Sequence, residues 1–166
     1  GRAPMCDSGE CQRRRKGKAM RPADPVRVAA AARGWLGTPY HDQASNKGIG
    51  CDCLGLARGI WREIVGREPM APPPYSRDWG EVGGRETFAE SVRPFMIEID
   101  PATASTGALV LFRMRDRAPA KHCGVLIAGG ASMIHAYERC GVIAVPYDRA
   151  WRRRAAFAFL FPAPGA

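Results

Sequence analysis

Cys53 occupies a position in the chain where nucleophilic chemistry would be favoured. It follows Asp52 directly, and the residues after it show the apolar spacing of a helix that Asp52 would cap. The N-terminus of a helix carries partial positive charge and free N–H groups, which favour thiolate over thiol. The same N–H groups stabilise a developing oxyanion. The setting of Cys53 is therefore typical of a cysteine nucleophile.

A cysteine nucleophile needs a base, and the base needs a partner that orients it. The sequence has three histidines, of which His122 opens one strand-like run and His135 lies in the next. Adjacent antiparallel strands can bring two such side chains to one face. The pattern therefore predicts a thiolate–imidazolium pair of Cys53 and His122, with His135 holding the ring of His122. The alternative is structural, because buried cysteines and histidines often serve only packing and hydrogen bonding.

Two helices are predicted ahead of these strands. Helix start and stop residues enclose the segments Asp24–Gly37 and Asp52–Gly66. Gly55 and Gly59 each cost about 1 kcal/mol in helix propensity relative to alanine. The second helix is therefore expected to be buried and closely packed.

The apolar pattern changes to short runs after residue 107. Five runs separated by turn residues predict strands: Ala108–Met114, His122–Ala128, Ser132–Tyr137, Val142–Tyr147 and Ala155–Phe161. Their succession predicts a meander, and residues 86–95 are predicted to form a short helix. Helices followed by strands predict an α+β fold.

The charge of the chain is strongly basic. There are 25 Lys and Arg residues against 16 Asp and Glu residues in 166, a net charge of +9, and the 46% hydrophobic content excludes a disordered or fibrous chain. Such a balance favours nucleic acid, anionic lipid or an anionic cell wall as partner. Residues 1–24 carry seven basic and three acidic residues without apolar periodicity. They are predicted to form a basic arm, and residues 25–166 a single domain.

The arm has three interpretations: docking on a partner protein, a free tail, or nucleic-acid binding. It contains no aromatic residue to stack on bases, so docking is favoured over nucleic acid. No apolar run reaches the ~18–20 residues of a membrane span. No apolar stretch follows the first basic residues, so synthesis in the cytoplasm without a signal peptide is expected.

Four blocks in order resemble the NlpC-type cell-wall cysteine peptidases. The family pattern is G-x-x-Y, D-C-S-G-L, H-V-G-I-Y and a second histidine in an I-H-A-like strand. The matching blocks are Gly37–Tyr40, Asp52–Leu56, His122–Ile127 and Met133–Ala136. Four further blocks resemble the peptidases of phage tails and gene transfer agents: Gly50–Leu56, Pro72–Tyr75, Phe112–Met114 and Trp151–Arg154.

The resemblance implies a papain-like α+β core, in which the nucleophile-bearing helix packs on an antiparallel sheet of about five strands. It implies roles for Cys53 as nucleophile, His122 as base and His135 as orienting residue. Tyr40 matches the family tyrosine that stabilises the oxyanion. Asp52 matches the motif acid and is interpreted as structural. No cofactor or metal is implied.

The implied activity is hydrolysis of a peptide bond in the peptidoglycan stem. In a phage-like tail, the enzyme would open the periplasmic cell wall for DNA entry, and the arm would contact the tail hub or other tail-tip proteins. One alternative is a structural tail-tip adaptor with little catalysis. Another is an acyltransferase on the same fold.

Other residues near the site keep two interpretations each. His41 either lines the cleft as a loop residue or contacts substrate. Cys51 is interpreted as a packing residue, with metal binding or oxidation with Cys53 as alternatives. Cys6 and Cys11 are interpreted as having no role or an assembly contact, rather than a disulfide or metal site. Cys123 stands where the family pattern has valine.

Overall fold

The computed structural model describes residues 19–72 and 82–165 of the chain. Within these ranges the helices are α1 (Pro25–Gly34), α2 (Cys53–Ile64), α3 (Thr87–Val92) and α4 (Arg149–Arg154). The strands are β1 (Ser45–Asn46), β2 (Gly50–Cys51), β3 (Ile97–Ile99), β4 (Ala108–Phe112), β5 (His122–Ile127), β6 (Ser132–Tyr137), β7 (Gly141–Pro146) and β8 (Ala155–Leu160). Most helices precede the main strands, and the predicted α+β class is confirmed.

The main sheet has six antiparallel strands in the order β3-β8-β4-β5-β6-β7. All five predicted strands are present, and the sixth, β3, is a three-residue edge strand too short to show a pattern. The expected meander holds for β4 to β7, but it is wrong for β8, which pairs with β4 and β3. Burial explains the order. Ala158 and Phe159 of β8 are fully buried on opposite faces, whereas β7 is half-exposed and ends at Pro146, which cannot donate a ladder hydrogen bond.

The predicted caps start both long helices. Asp24 Oδ1 accepts from the backbone N–H of Val26 at 2.9 Å. Asp52 Oδ1 accepts from Gly55 N at 2.7 Å, and its Oδ2 accepts from Gln43 N at 2.7 Å. Asp52 therefore fixes both the first turn of α2 and the loop that precedes it.

The two faces of the sheet are covered differently. One face packs on α1 and α2, and its buried residues include Leu111, Cys123 and Val125. The opposite face packs on Tyr147, which precedes α4, and on Trp151 within α4. The sequence did not predict α4, because six residues are too few to show a helical period. Asp148 caps this helix, as its Oδ1 accepts from the Trp151 N–H at 3.0 Å.

The chain before α1 pairs with the end of the chain. Ala23 N donates to Phe161 O at 2.8 Å, and Ala163 N donates to Arg21 O at 2.7 Å. Residues 21–23, assigned to the arm from sequence, thus lie against the domain. Cys6, Cys11 and the basic run 13–18 lie outside the described residues, as do residues 73–75 of the proline-rich block. No helix in the described ranges is long and apolar enough to cross a bilayer.

The tight packing of α2 leads to a first testable prediction. A Cβ added at Gly59 would overlap the ring of Trp35, which is 2% exposed. Overpacking costs about 1–3 kcal/mol, which outweighs the propensity gain of about 1 kcal/mol from alanine. Gly59→Ala is therefore expected to lower the free energy of unfolding by roughly 1–2 kcal/mol, measured by urea denaturation.

Gly34→Ala is the matched control for this prediction. Its added Cβ would meet only the Lys47 side-chain end, with Nζ at 2.7 Å, and that flexible end can move away. Little loss of stability is expected there. If Gly59→Ala were as stable as Gly34→Ala, close packing would not be the reason for glycine at position 59.

Candidate active site

Cys53 is the first residue of α2 and lies against the start of β5. Its Sγ is 3.9 Å from the carbonyl oxygen of Lys121. On the other side, Cys123 Sγ is 3.2 Å from the carbonyl oxygen of Cys53. The first N–H groups of a helix have no intrahelical acceptor. Cys53 therefore presents a half-buried thiol together with an N–H group that is available to an oxyanion.

His122 and His135 form a direct hydrogen-bonded pair. Their Nε2 and Nδ1 atoms are 2.8 Å apart, and both side chains are buried. Val125 pairs with Ile134, and continuing that register sets His135 opposite Gly124. Gly124 lies two residues after His122 in β5, so both histidines are on the same face of the sheet. A Cβ at Gly124 would lie 3.3 Å from His135 Cβ, which is tighter than ordinary packing. Glycine at this position leaves room for the histidine pair.

Burial determines the proton positions in this pair. Burial, followed by the charge of the nearby His122, lowers the pKa of His135 to about 3. His135 is therefore neutral at physiological pH, and its Nδ1 accepts from the Nε2–H of His122. This tautomer is assigned from the hydrogen-bond network. It leaves Nδ1 of His122 as the ring nitrogen that can hydrogen-bond with Cys53.

The thiol of Cys53 is held ready to ionise. A hydrogen bond with the Cys123 thiol lowers the pKa of Cys53 well below its ordinary value, and burial opposes this shift. A hydrogen bond with His122 and the charge of that ring lower the pKa further. The thiolate is therefore the favoured form, as a nucleophile requires.

Three aromatic side chains surround the histidine pair. Trp151 has its ring centroid 5.9 Å from that of His122 and 5.2 Å from that of His135. Tyr137 lies 5.2 Å from His135, and Phe112 lies 6.0 Å from His122. These rings shield the His122–His135 hydrogen bond from water. Strand alternation offered a signal for Tyr137, two residues after His135, but the position of Trp151 depends on the fold.

Tyr40 approaches Cys53 from the loop between α1 and β1. It forms an isolated bridge with Cys51, and its side chain is half-buried. Burial raises the pKa of Tyr40 above its ordinary range, and the negative charges of Cys53, Asp52 and Asp42 raise it further. The phenol therefore stays protonated, as a hydrogen-bond donor to an oxyanion must.

His41 does not join the histidine pair. Its side chain is exposed, and its Nδ1 is 3.2 Å from the carbonyl oxygen of Asp42. It lines a groove formed by residues 39–42 and 138–141. The structure thus places His41 in a loop on the rim of this groove, beside Tyr40.

Asp52 and Cys51 point into the structure rather than into the cleft. Both oxygens of Asp52 accept backbone N–H groups, as described above. Cys51 is fully buried, and burial, followed by the charges of Asp52 and Cys53, raises its pKa to about 12. Cys51 therefore remains a protonated packing residue. The described ranges contain no group of three or more His, Cys, Asp or Glu residues arranged to hold a metal ion.

The low pKa of His135 predicts a pH dependence of stability. An unfolded histidine titrates near its ordinary value of 6.5, whereas folded His135 titrates near 3. Between these values the unfolded chain binds a proton that the folded chain does not, so stability falls as the pH falls. This residue alone is expected to lower the free energy of unfolding by roughly 3 kcal/mol between pH 7 and pH 4.

The comparison that isolates this contribution is wild type against His135→Asn, by urea denaturation across that pH range. As the pH falls, the free energy of unfolding of His135→Asn is expected to decline less steeply than that of wild type, whatever the absolute stability of the variant. His41→Asn, at an exposed position, serves as the control. Equal slopes for wild type and His135→Asn would contradict the assignment of a neutral, buried His135.

The sequence matches no protein-family model and no curated protein. Solved structures share its fold. The NlpC/p60 domain of the peptidoglycan hydrolase SagA matches with a TM-score of 0.55 at 19% identity, over 82% of this chain and 97% of the domain. An NlpC/p60 family protein from Bacillus cereus ATCC 10987 matches with a TM-score of 0.56 at 19% identity, over 84% of this chain and 40% of that protein.

NlpC2 from Trichomonas vaginalis gives a TM-score of 0.56 at 17% identity, over 90% of this chain and 49% of that protein. This chain thus spans nearly the whole SagA domain but less than half of the other two proteins. At these identities the likeness concerns the fold. The NlpC-type fold predicted from the sequence is confirmed.

Proposed function

We propose that this chain, which has an NlpC/p60-type fold, is a cysteine peptidase that hydrolyses a peptide bond in the peptidoglycan stem. The observation that carries the proposal is the 2.8 Å His122–His135 hydrogen bond beside a helix N-terminal thiol of lowered pKa. The description of SagA as a peptidoglycan hydrolase supports the substrate class. The family resemblance points to the bond between D-glutamate and the diamino acid.

In the first half of the reaction, the Cys53 thiolate attacks the scissile carbonyl carbon. The N–H of Cys53 and the phenol of Tyr40 donate to the oxyanion of the tetrahedral intermediate. Nδ1–H of His122 then protonates the leaving amine, and a thioester remains on Cys53. His135 keeps the His122 ring in place throughout, because its neutral Nδ1 accepts only from Nε2–H.

In the second half, His122 acts as a base. Its free Nδ1 takes a proton from water, the hydroxide attacks the thioester, and the thiolate leaves. An amine that replaced water in this step would make the protein an acyltransferase instead. The released carboxylate and the restored thiolate–imidazolium pair complete the cycle.

The test is the release of soluble fragments from purified sacculi and the cleavage of a stem tripeptide by the reduced protein. Cys53→Ala is expected to abolish both, whereas Cys51→Ala, at a buried neighbour, is the matched control expected to retain them. If the folded, reduced wild-type protein cleaves neither substrate, the peptidase proposal is wrong. That result would favour the structural adaptor.

We also propose that the enzyme is made in the bacterial cytoplasm, is carried in a phage-like tail and acts on the periplasmic wall. The tail-type sequence blocks and the basic charge of residues 1–24 support this role. Deleting residues 1–18 leaves the pairing of residues 21–23 untouched. The deletion is expected to prevent tail incorporation and preserve peptide cleavage. Normal incorporation of the truncated protein would exclude docking through the arm.

A further inference from the structure

Cys123 is a second thiol beside the nucleophile. It follows His122 in β5, so its side chain points to the opposite face of the sheet, toward α2. It is 1% exposed, and its Sγ lies 3.2 Å from the carbonyl oxygen of Cys53, so the two residues are in direct contact. In the hydrolytic mechanism Cys123 acts only through its hydrogen bond with Cys53, and no bond to its sulfur forms or breaks.

Cys51 is nearer to Cys53 in sequence but is poorly placed to reach it. Asp52 between them is extended, with φ −99° and ψ −173°. Two extended residues separate the Cα atoms by about 7 Å, at or beyond the upper limit for a disulfide. Cys51 is also fixed in β2, where it pairs with Ser45. Of the two buried cysteines, Cys51 and Cys123, the second is therefore the partner for Cys53.

We propose that Cys53 and Cys123 form an oxidative modification site, in which hydrogen peroxide converts the thiols of these contacting residues into a disulfide that blocks Cys53 reversibly. The site requires only the two thiols and the peroxide. It therefore stands whether or not the chain cleaves peptidoglycan.

The reaction proceeds in two balanced steps. The Cys53 thiolate attacks one oxygen atom of the peroxide. An S–O bond forms as the O–O bond breaks, hydroxide departs, and Cys53 becomes a sulfenic acid. The Cys123 sulfur then attacks the Cys53 sulfur, the S–S bond forms, and the S–O bond breaks. The departing hydroxide takes the Cys123 proton and becomes water. The thiols together lose two electrons, and the peroxide is reduced to water.

The electrostatics of the pair support this order. The lowered pKa of Cys53 makes it the thiol that reacts with peroxide first. The pKa of Cys123 is raised, chiefly by its hydrogen bond with Cys53, then by burial and by the Cys53 charge. Oxidation of Cys53 to a neutral sulfenic acid removes that charge. Cys123 thus becomes easier to deprotonate at the step in which it attacks.

The experiment treats the full-length reduced protein with hydrogen peroxide and maps its tryptic peptides by mass spectrometry. Cys53 lies in the peptide of residues 48–58, and Cys123 lies in that of residues 122–139. Wild type is expected to yield these two peptides cross-linked, with two hydrogens lost and iodoacetamide labelling of Cys53 abolished. Dithiothreitol is expected to restore the labelling.

Two variants complete the test. Cys51→Ala is expected to form the same cross-link, because Cys51 shares the peptide but not the reaction. Cys123→Val, with a side chain of similar size, is treated at a pH above its own midpoint of Cys53 alkylation, so that Cys53 is again a thiolate. There Cys53 is expected to oxidise to sulfinic acid, and dithiothreitol is expected not to restore its labelling. The proposal is overturned if wild type yields sulfinic acid without the cross-link, if Cys51→Ala abolishes the cross-link, or if Cys123→Val recovers as fully as wild type.

Discussion

Replacing Cys53 with serine is expected to lower kcat/KM for stem-peptide hydrolysis by about 10³-fold or more. The surroundings of Cys53 stabilise a thiolate, through Cys123 and His122, but a serine hydroxyl ionises far less readily than a thiol. The serine hydroxyl must therefore lose its proton during the attack, which makes the reaction slower than attack by a preformed thiolate. The substitution changes one atom, so the fold should persist.

The measurement is kcat/KM on a stem tripeptide, with circular dichroism and urea denaturation to verify folding. Cys53→Ala, which has no nucleophile, sets the residual level from binding and oxyanion stabilisation alone. The serine variant is expected near that level. A folded serine variant within about tenfold of wild type would show that a thiolate is not the attacking group.

Replacing His122 with glutamine is expected to lower kcat by about 10²–10⁴-fold, the usual contribution of a general acid–base residue. Glutamine retains hydrogen bonding but cannot carry a proton to the leaving amine. The substitution also removes a hydrogen bond and a positive charge from the thiolate. The pH at which half of Cys53 reacts with iodoacetamide is therefore expected to rise.

Cys123→Val separates these two effects of His122. Loss of the Cys123 thiol also raises the pH midpoint of Cys53 alkylation, because the hydrogen bond with Cys123 is the largest cause of the lowered pKa of Cys53. The proton-transfer group remains, so turnover is expected to recover as the pH rises through that midpoint. His122→Gln should stay slow at every pH. Alkylation of His122→Gln with the wild-type pH dependence would contradict the thiolate–imidazolium pair.

The local features of the fold were predictable from the residues themselves. Asp24 and Asp52 were predicted as N-caps, and each accepts a backbone N–H in the first turn of its helix. The glycine at position 59 implied close packing, and the Trp35 ring occupies the space that a side chain would need. Such signals act over a few residues, so the sequence shows them directly.

The position of the last strand was not predictable in this way. Its apolar run was evident, but the choice between β7 and β4 as partner depends on burial across the whole sheet. The short helix α4, which lies between β7 and β8, carries too few residues for a period. This helix nevertheless places Trp151 against the histidine pair, although Trp151 lies 16 residues after His135 in the sequence.

The sequence by itself determined which residues could do chemistry: a cysteine at a helix start and two histidines in consecutive strands. Residue type and short-range spacing suffice for that, because capping and strand alternation are local. Only the tertiary structure decided that His122 and His135 meet with an offset of two residues, that aromatic rings shield them, and that Cys123 touches Cys53. These contacts join distant segments, and register and packing across the sheet fix them.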